Sequence, residues 1–362
     1  MRSPELRLGA LPPLRVSPAT LLTIALVAVL VYPALSGGEG GPLPAVLLAL
    51  GIGVFLMLSV LGHEVAHAVA ARAFGAQVDH IALTLWGGHT QYLGENVRPG
   101  QSVVISLAGP LVNLALGAGL ALVDPWVHSP AAAAFVFFGS SMNYALAVFN
   151  LLPGLPMDGG RAVEGLIGAL LHRPRLGTVV TAWIGRVIAV AVLVLPLIRL
   201  RLSDGRGGFD LVVLVWAVLI ALTLWQGAGS ALESARMEGR VEELRVEDFA
   251  RPVHLLPADL TLDALPTDGA ACLVLQGGSA FGVSPSALAE VPRSRLTTTP
   301  VSAVLQPLGS IGRLRPGLRG HALVTAMLAS QHPQYLVGEA GAESGVVWTA
   351  DVNAHLRGVR SA

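Results

Sequence analysis

"LSVLGHEVAHAVAARAFG", residues 58–75, places two histidines and a glutamate at the end of a run otherwise suited to lipid. Residues 42–61, leading into it, carry no charge. His63 and His67 are four positions apart. On an α-helix that spacing is about 40° of rotation and one turn of rise, so both imidazoles face one way and can share a cation. Glu64 lies about 100° round the same helix, close enough to reach a water on that cation without ligating it. In H-E-x-x-H chemistry Zn2+ acidifies its bound water, and the glutamate takes the proton as hydroxide attacks a carbonyl. Such a pentapeptide also arises by accident. The apolar setting sharpens the chemical reading, because ionisable groups inside membrane spans are rare unless they work.

Composition agrees with a membrane protein. The hydrophobic fraction is 53%, charged residues are 13%, and the mean hydropathy is +0.66, well above a soluble globular average. Net charge is zero, which gives no bulk electrostatic case for nucleic acid as a partner. The single cysteine, Cys272, excludes an intramolecular disulfide framework.

Six apolar runs, near 18–35, 42–71, 102–123, 131–152, 177–198 and 209–232, are long enough to cross a hydrocarbon core as helices. After Glu233 charge becomes frequent and the apolar runs shorten to strand length. The chain therefore divides into an N-terminal tail (1–17), a transmembrane domain (18–232), a polar linker helix (233–242) and a soluble domain (243–362). Arginines flank one side of the runs: Arg2, Arg7 and Arg15, then Arg72 and Arg98, then Arg161, Arg173 and Arg175, then Arg236, Arg240 and Arg245. By the positive-inside rule both termini and the soluble domain are cytoplasmic, in a bacterial plasma membrane. Arg199, Arg201 and Arg206 dissent from that topology. The first run also admits a second reading, as a cleaved signal peptide.

A catalytic zinc needs a third protein ligand and an open position. The position where one soluble class would put its third histidine is Ala73. The alternative lies in "FNLLPGLPMDGGR", where Pro153 and Pro156 break the fourth apolar run and Asp158 precedes Gly159 and Gly160. An extended, glycine-flanked carboxylate at membrane depth is tolerated only where protein or a water-filled cavity surrounds it. By itself "DGG" reads equally as an interfacial turn.

HEVAH together with N-x-x-P-x-x-P-x-D-G-G on a second apolar run resembles the site-2 protease family of intramembrane zinc metalloproteases. "SLAGPLVN" (106–113) is a stretch that family also carries, so the resemblance covers the whole membrane domain. It implies His63, His67 and Asp158 as ligands of one Zn2+ per chain and Glu64 as general base. It implies Asn150 as a second catalytic residue that helps hold the scissile carbonyl or its oxyanion. The implied activity is regulated intramembrane proteolysis of membrane-protein substrates. Asn113 reads as either part of this motif or a helix-packing amide, and Gly109 and Pro110 read as packing and bending residues.

Between the second and third runs, alternation at Ile81, Leu83 and Leu85 followed by Gly87-Gly88 predicts a β-hairpin with its turn at the glycines. A bare edge strand over 81–86 could hold an unwound substrate by main-chain pairing. His80 and His89 are the other metal-ligating types nearby.

The tail shows a weak internal repeat: "FGVSPSALAEV" is answered by "SGVVWTADVNAHL". It resembles a tandem CBS pair, an α/β module that one site-2 protease subgroup carries after six spans. That resemblance implies an adenine nucleotide as a regulatory ligand, Asp351 as its ribose contact, and homodimerisation. A purely structural pair reads equally well. The rival classes are a CBS-containing transporter or channel, which the lack of a repeated half-structure disfavours, and a catalytically inactive binder of membrane proteins, which the intact Glu64 disfavours.

Overall fold

A computed structural model describes residues 5–7, 12–37, 41–84, 87–93, 97–202, 208–339 and 342–358. The chain forms two units, Met1–Glu233 and Ser234–Ala362. The first opens with two short strands, β1 (Glu5–Leu6) and β2 (Leu14–Val16), and a helix α1 (Thr20–Leu35). Then follow α2 (Pro42–Ala73), β3 (Gln77–Thr84), β4 (Gly87–Leu93), α3 (Pro99–Val123), α4 (Pro130–Asn150), α5 (Asp158–Leu171), α6 (Pro174–Leu202) and α7 (Gly208–Glu243). Helices α2, α3, α4 and α6 each begin on a proline. Proline fits the first helical position because its missing N–H would have no intrahelical partner there, and its φ is already helical.

Among the described residues five helices are long and apolar enough to cross a membrane: α2, α3, α4, α6 and α7. The sequence reading counted six. The difference is α1, which has only 16 residues and so spans about 24 Å against a hydrocarbon core of about 30 Å. It packs tightly on α2, where a Cβ on Gly53 would lie 2.8 Å from the carbonyl oxygen of Ile24. The sequence reading also ran straight from the fourth apolar run to the fifth. The structure inserts α5 between them, with Gly159, Gly160, Ala162, Gly165 and Gly168 buried along it.

The strands of this unit make one four-stranded sheet in the order β1-β2-β3-β4. β2 pairs with β3 in parallel (Leu14↔Ile81, Val16↔Leu83), and β3 pairs with β4 in antiparallel (Ala82↔His89, Thr84↔Gly87). Leu14, Ile81 and Leu83 share a core with Met57, Val60 and Ala68 of α2. Arg15 and His80 lie within hydrogen-bond reach of each other, and each meets an acid: Arg15–Glu5 at 2.6 Å and His80–Asp79 at 2.7 Å. Two expectations change here. Gly87 and Gly88 lie within β4 rather than at the turn, because Thr84 pairs with Gly87; Leu85 and Trp86 lie outside the described residues. And β3 is not an edge strand, because the segment ahead of α1 folds back to occupy its other side. The edge of the hairpin is β4.

The second unit builds a six-stranded sheet, in spatial order β10-β9-β8-β7-β6-β5. Its elements are β5 (Val253–Leu255), β6 (Ala271–Gln276), β7 (Ser279–Val283), α8 (Pro285–Ala289), β8 (Leu305–Leu314), α9 (Gly320–Ser330), β9 (Gln334–Glu339), β10 (Ala342–Trp348) and α10 (Thr349–Arg357). β5 runs parallel to β6, which is antiparallel to β7; β8 runs parallel to β9, which is antiparallel to β10. Tyr335 is fully buried at the centre and donates its hydroxyl to the Met327 carbonyl at 2.8 Å.

Because β3 has a strand on each side, Leu83→Pro should destabilise the whole sheet, by at least about 1–3 kcal/mol. Denaturant titration of the purified, detergent-solubilised chain checks this. An unchanged midpoint would show that the β2–β3 pairing contributes nothing.

Candidate metal centre

Helix α2 delivers His63, Glu64 and His67 to its buried side, with each residue between 6% and 7% exposed. The loop after α4 delivers Asp158 as the first residue of α5. The carboxylate is thus at a helix N-terminus, favourable for an anion, and not in extended chain as the sequence suggested. Its two glycines serve close approach: a Cβ on Gly159 would lie 2.3 Å from the Leu151 carbonyl oxygen, and one on Gly160 would lie 2.4 Å from the Gly154 carbonyl carbon. The loop folds flat against the first turn of α5, and that places Asp158.

Asp158 Oδ2 lies 3.0 Å from His63 Nε2 and 3.3 Å from His67 Nε2, and the two Nε2 atoms are 3.0 Å apart. The far nitrogens are spoken for. His67 Nδ1 is 2.7 Å from the Ile105 carbonyl, which can only accept, so this nitrogen carries the hydrogen. His63 Nδ1 is 2.6 Å from Asn113 Oδ1 and donates to it. In the neutral ring, the form that can bind a metal, each imidazole then turns a lone pair on Nε2 towards the carboxylate. Three acceptors meeting in a largely buried space repel one another unless a proton or a cation sits among them. Two nitrogens and one oxygen, each histidine steadied through its other nitrogen, is a donor set that fits zinc.

A cavity of about 1190 Å³ adjoins this cluster and is lined by Asn150, Tyr92, Arg161, Thr223 and Gln226 as well as the three acceptors and Glu64. It supplies the open side that a catalytic zinc requires. Gly109 of α3 closes the opposite side: a Cβ there would lie 2.4 Å from His67 Nε2 and 2.6 Å from His63 Nε2. Strand β4 covers Glu64. Thr90 donates its hydroxyl to the Glu64 carboxylate at 2.8 Å, and a Cβ on Gly88 would lie 2.5 Å from Glu64 Cγ. Tyr92, on the same strand, has its phenol pushed up to about 12 by burial, with the Glu64 and Asp158 charges adding and Arg161 opposing. It stays a neutral hydrogen-bond donor at physiological pH.

Residues 51–127 and 124–195 match the family model described as peptidase family M50. A Mycobacterium tuberculosis protein named "Putative zinc metalloprotease Rip3" is 35% identical over 337 residues, which cover 87% of this chain and 83% of that one. The chain belongs to peptidase family M50. "Putative zinc metalloprotease sll0528" of Synechocystis is another relative, 30% identical over 277 residues, or 73% of this chain and 69% of that protein. Among solved structures, the site-2 protease of Methanocaldococcus jannaschii is similar with a TM-score of 0.42 and 20% identity, over 64% of this chain and 95% of that one.

Within this M50 chain the structure gathers His63, His67 and Asp158 into one cluster, with ligand atoms all within 4.8 Å of one another. Asn150, the last residue of α4, lines the same cavity. Other sequence candidates fall elsewhere. His80 is engaged by Asp79 and Arg15 on the sheet, and its ring centre is 6.2 Å from that of His89. Arg186, charged within an apolar helix, stacks on Trp183 and Trp225, with its guanidinium 4.9 and 5.0 Å from the two ring centres. Asp351, the expected nucleotide contact, accepts a 2.6 Å ion pair from Arg251. What the sequence reading missed are the residues around the ligands: Gly109, read there as packing, the Ile105 carbonyl, Gly88, Thr90 and Asn143.

Gly109→Ala is the sharpest test of this geometry. Its methyl would occupy the space between the two Nε2 atoms, so zinc content of the purified protein should fall to a small fraction of the parental value. Full metal occupancy in the alanine variant would show that the Nε2 atoms are not where the metal binds.

Proposed function

We propose that this M50 chain is an intramembrane zinc metalloprotease that hydrolyses peptide bonds of membrane-embedded protein substrates. The observation that carries the reading is the meeting of His63 Nε2, His67 Nε2 and Asp158 Oδ2 beside Glu64, in an open-sided cavity among apolar helices. A zinc ion held by those three residues would supply Lewis acidity, lowering the proton affinity of water and polarising a carbonyl. The chain's own groups do the rest. Glu64 accepts a proton from the attacking water and returns it to the leaving amine, the general acid–base role for which a positioned carboxylate suits. The Thr90 hydroxyl fixes which way that carboxylate points. Asn150 offers an amide donor towards a substrate carbonyl from the cavity wall, and neutral Tyr92 offers a phenol.

Helical substrates hide their peptide bonds, so a strand must be drawn out before cleavage. The edge strand β4 runs directly over Glu64 through Gly88 and Thr90, which makes β4, rather than β3, the ladder on which an unwound substrate adds a strand. For the Ser234–Ala362 unit, the strand–strand–strand order shared by β5–β7 and β8–β10 supports the CBS-pair reading. Nucleotide regulation and dimerisation through that unit belong to the same proposal, tested by calorimetry with ATP, ADP and AMP. The cytoplasmic placement of both ends is also part of it, and requires α1 to cross the membrane despite its length.

Glu64→Gln should keep its zinc, because Glu64 is not among the ligands, while cleavage of a membrane substrate falls by about 10²–10⁴-fold. Asp158→Ala should lose both zinc and cleavage, as removal of a direct ligand must. Parental turnover by Glu64→Gln in a reconstituted assay would sink the mechanism; full zinc in Asp158→Ala would return that residue to a turn role.

A further inference from the structure

We infer that Asn143, a residue of α4 outside the ligand set, is a positioning residue that fixes the tautomer of His63 through a directional chain of hydrogen bonds. The inference rests on the zinc reading of the His63, His67 and Asp158 cluster and deepens it. The chain runs inward from backbone. Ser59 Oγ donates to the Phe55 carbonyl at 3.0 Å. Asn143 Nδ2 donates to Ser59 Oγ at 3.1 Å and to the Gly139 carbonyl at 2.8 Å. Asn143 Oδ1 then accepts from Asn113 Nδ2 at 3.0 Å, and Asn113 Oδ1 accepts from His63 Nδ1 at 2.6 Å. Asn113 and Asn143 are both 0% exposed and Ser59 is 1% exposed.

An amide can be turned end for end, so each asparagine could in isolation point either way. Here the direction is set from outside. The Gly139 carbonyl can only accept, so the Asn143 atom facing it must be the NH2. Its oxygen therefore faces Asn113, and only the Asn113 NH2 can meet that oxygen. The remaining Asn113 oxygen faces His63, whose Nδ1 must bring the hydrogen. In the neutral ring Nε2 is then left with the lone pair that a metal needs. Reversing any one amide would set oxygen against oxygen in a buried site, leaving groups unsatisfied at about 1–3 kcal/mol each. α4 thus dictates the chemistry of a histidine on α2 by way of an amide on α3.

The test is a double-mutant cycle read as zinc affinity, by competition with a chromophoric chelator on the full, detergent-solubilised chain. Asn113→Leu removes the acceptor and should weaken zinc binding by about 10–100-fold. Asn143→Leu, one link further out, should weaken it by about tenfold, and Asn143→Ala serves as the second truncation where the leucine fails to fold. The discriminating background is Asn113→Asp. A carboxylate accepts from His63 Nδ1 whichever way it is turned and has no NH2 to offer Asn143. There Asn143→Leu should leave zinc affinity unchanged or tighten it. The visible spectrum of the Co2+-substituted protein should follow the same pattern, shifted by Asn143→Leu in the native background and not in the Asn113→Asp background. Equal losses in both backgrounds would mean that Asn143 only packs the helices, and no loss in the native background would remove it from the site altogether; either overturns the inference. A parental chain that binds no zinc would instead overturn the reading beneath it.

Discussion

A nitrogen lone pair buried without a proton or a cation facing it is costly, and the membrane unit is organised around two of them. His63 and His67 would each be easier to bury with Nε2 protonated and hydrogen-bonded. Instead their Nδ1 hydrogens are drawn off by Asn113 and by the Ile105 carbonyl, both from α3, so the Nε2 atoms face each other and Asp158. That choice constrains the surroundings. α3 must approach closely enough to supply both acceptors, and so must lack a side chain at position 109. α5 must start where it does, which requires the loop after α4 to lie flat on two glycines. Each feature is a local cost accepted to keep three acceptors together.

The same constraint explains why polar residues occur along α2, α3 and α4 at all. Ser59, Asn113 and Asn143 tie three apolar helices together at depths where a lone amide would be a liability, with Asn143 bonded to both of the others. In lipid such bonds add little net energy to association, typically about 0.6 kcal/mol each. Their larger contribution here is orientation.

The part of this that could be read in the chain was the part encoded locally. Four-residue spacing places His63 and His67 on one helix face whatever the fold, and the proline breaks at Pro153 and Pro156 mark the end of α4. Asp158 could be tied to the histidines only by resemblance to a family, since nothing in "DGG" distinguishes a ligand from a turn. The Asn143–Ser59 bond joins residues 84 apart, and an asparagine in an apolar run looks the same whether it packs or points. The hairpin was legible from alternation, but its edge was misplaced, because a three-residue strand ahead of α1 carries no periodicity to announce itself. The length of α1 was not legible either: an apolar run beginning near 18 does not show where helix gives way to turn.

That short strand has a consequence for how the unit is assembled. β2 is synthesised before α1 and α2, whereas its partner β3 comes after them, with Leu14 opposite Ile81. The nascent chain must therefore hold β2 apart from β3 while two helices are made and placed, and the sheet closes only once β3 has emerged. The β1–β2 ribbon is thus made before the strand on which it docks. A cut, a fusion or a binding partner acting on β1 or β2 would consequently be felt at the hairpin, on the strand next to the one that covers Glu64.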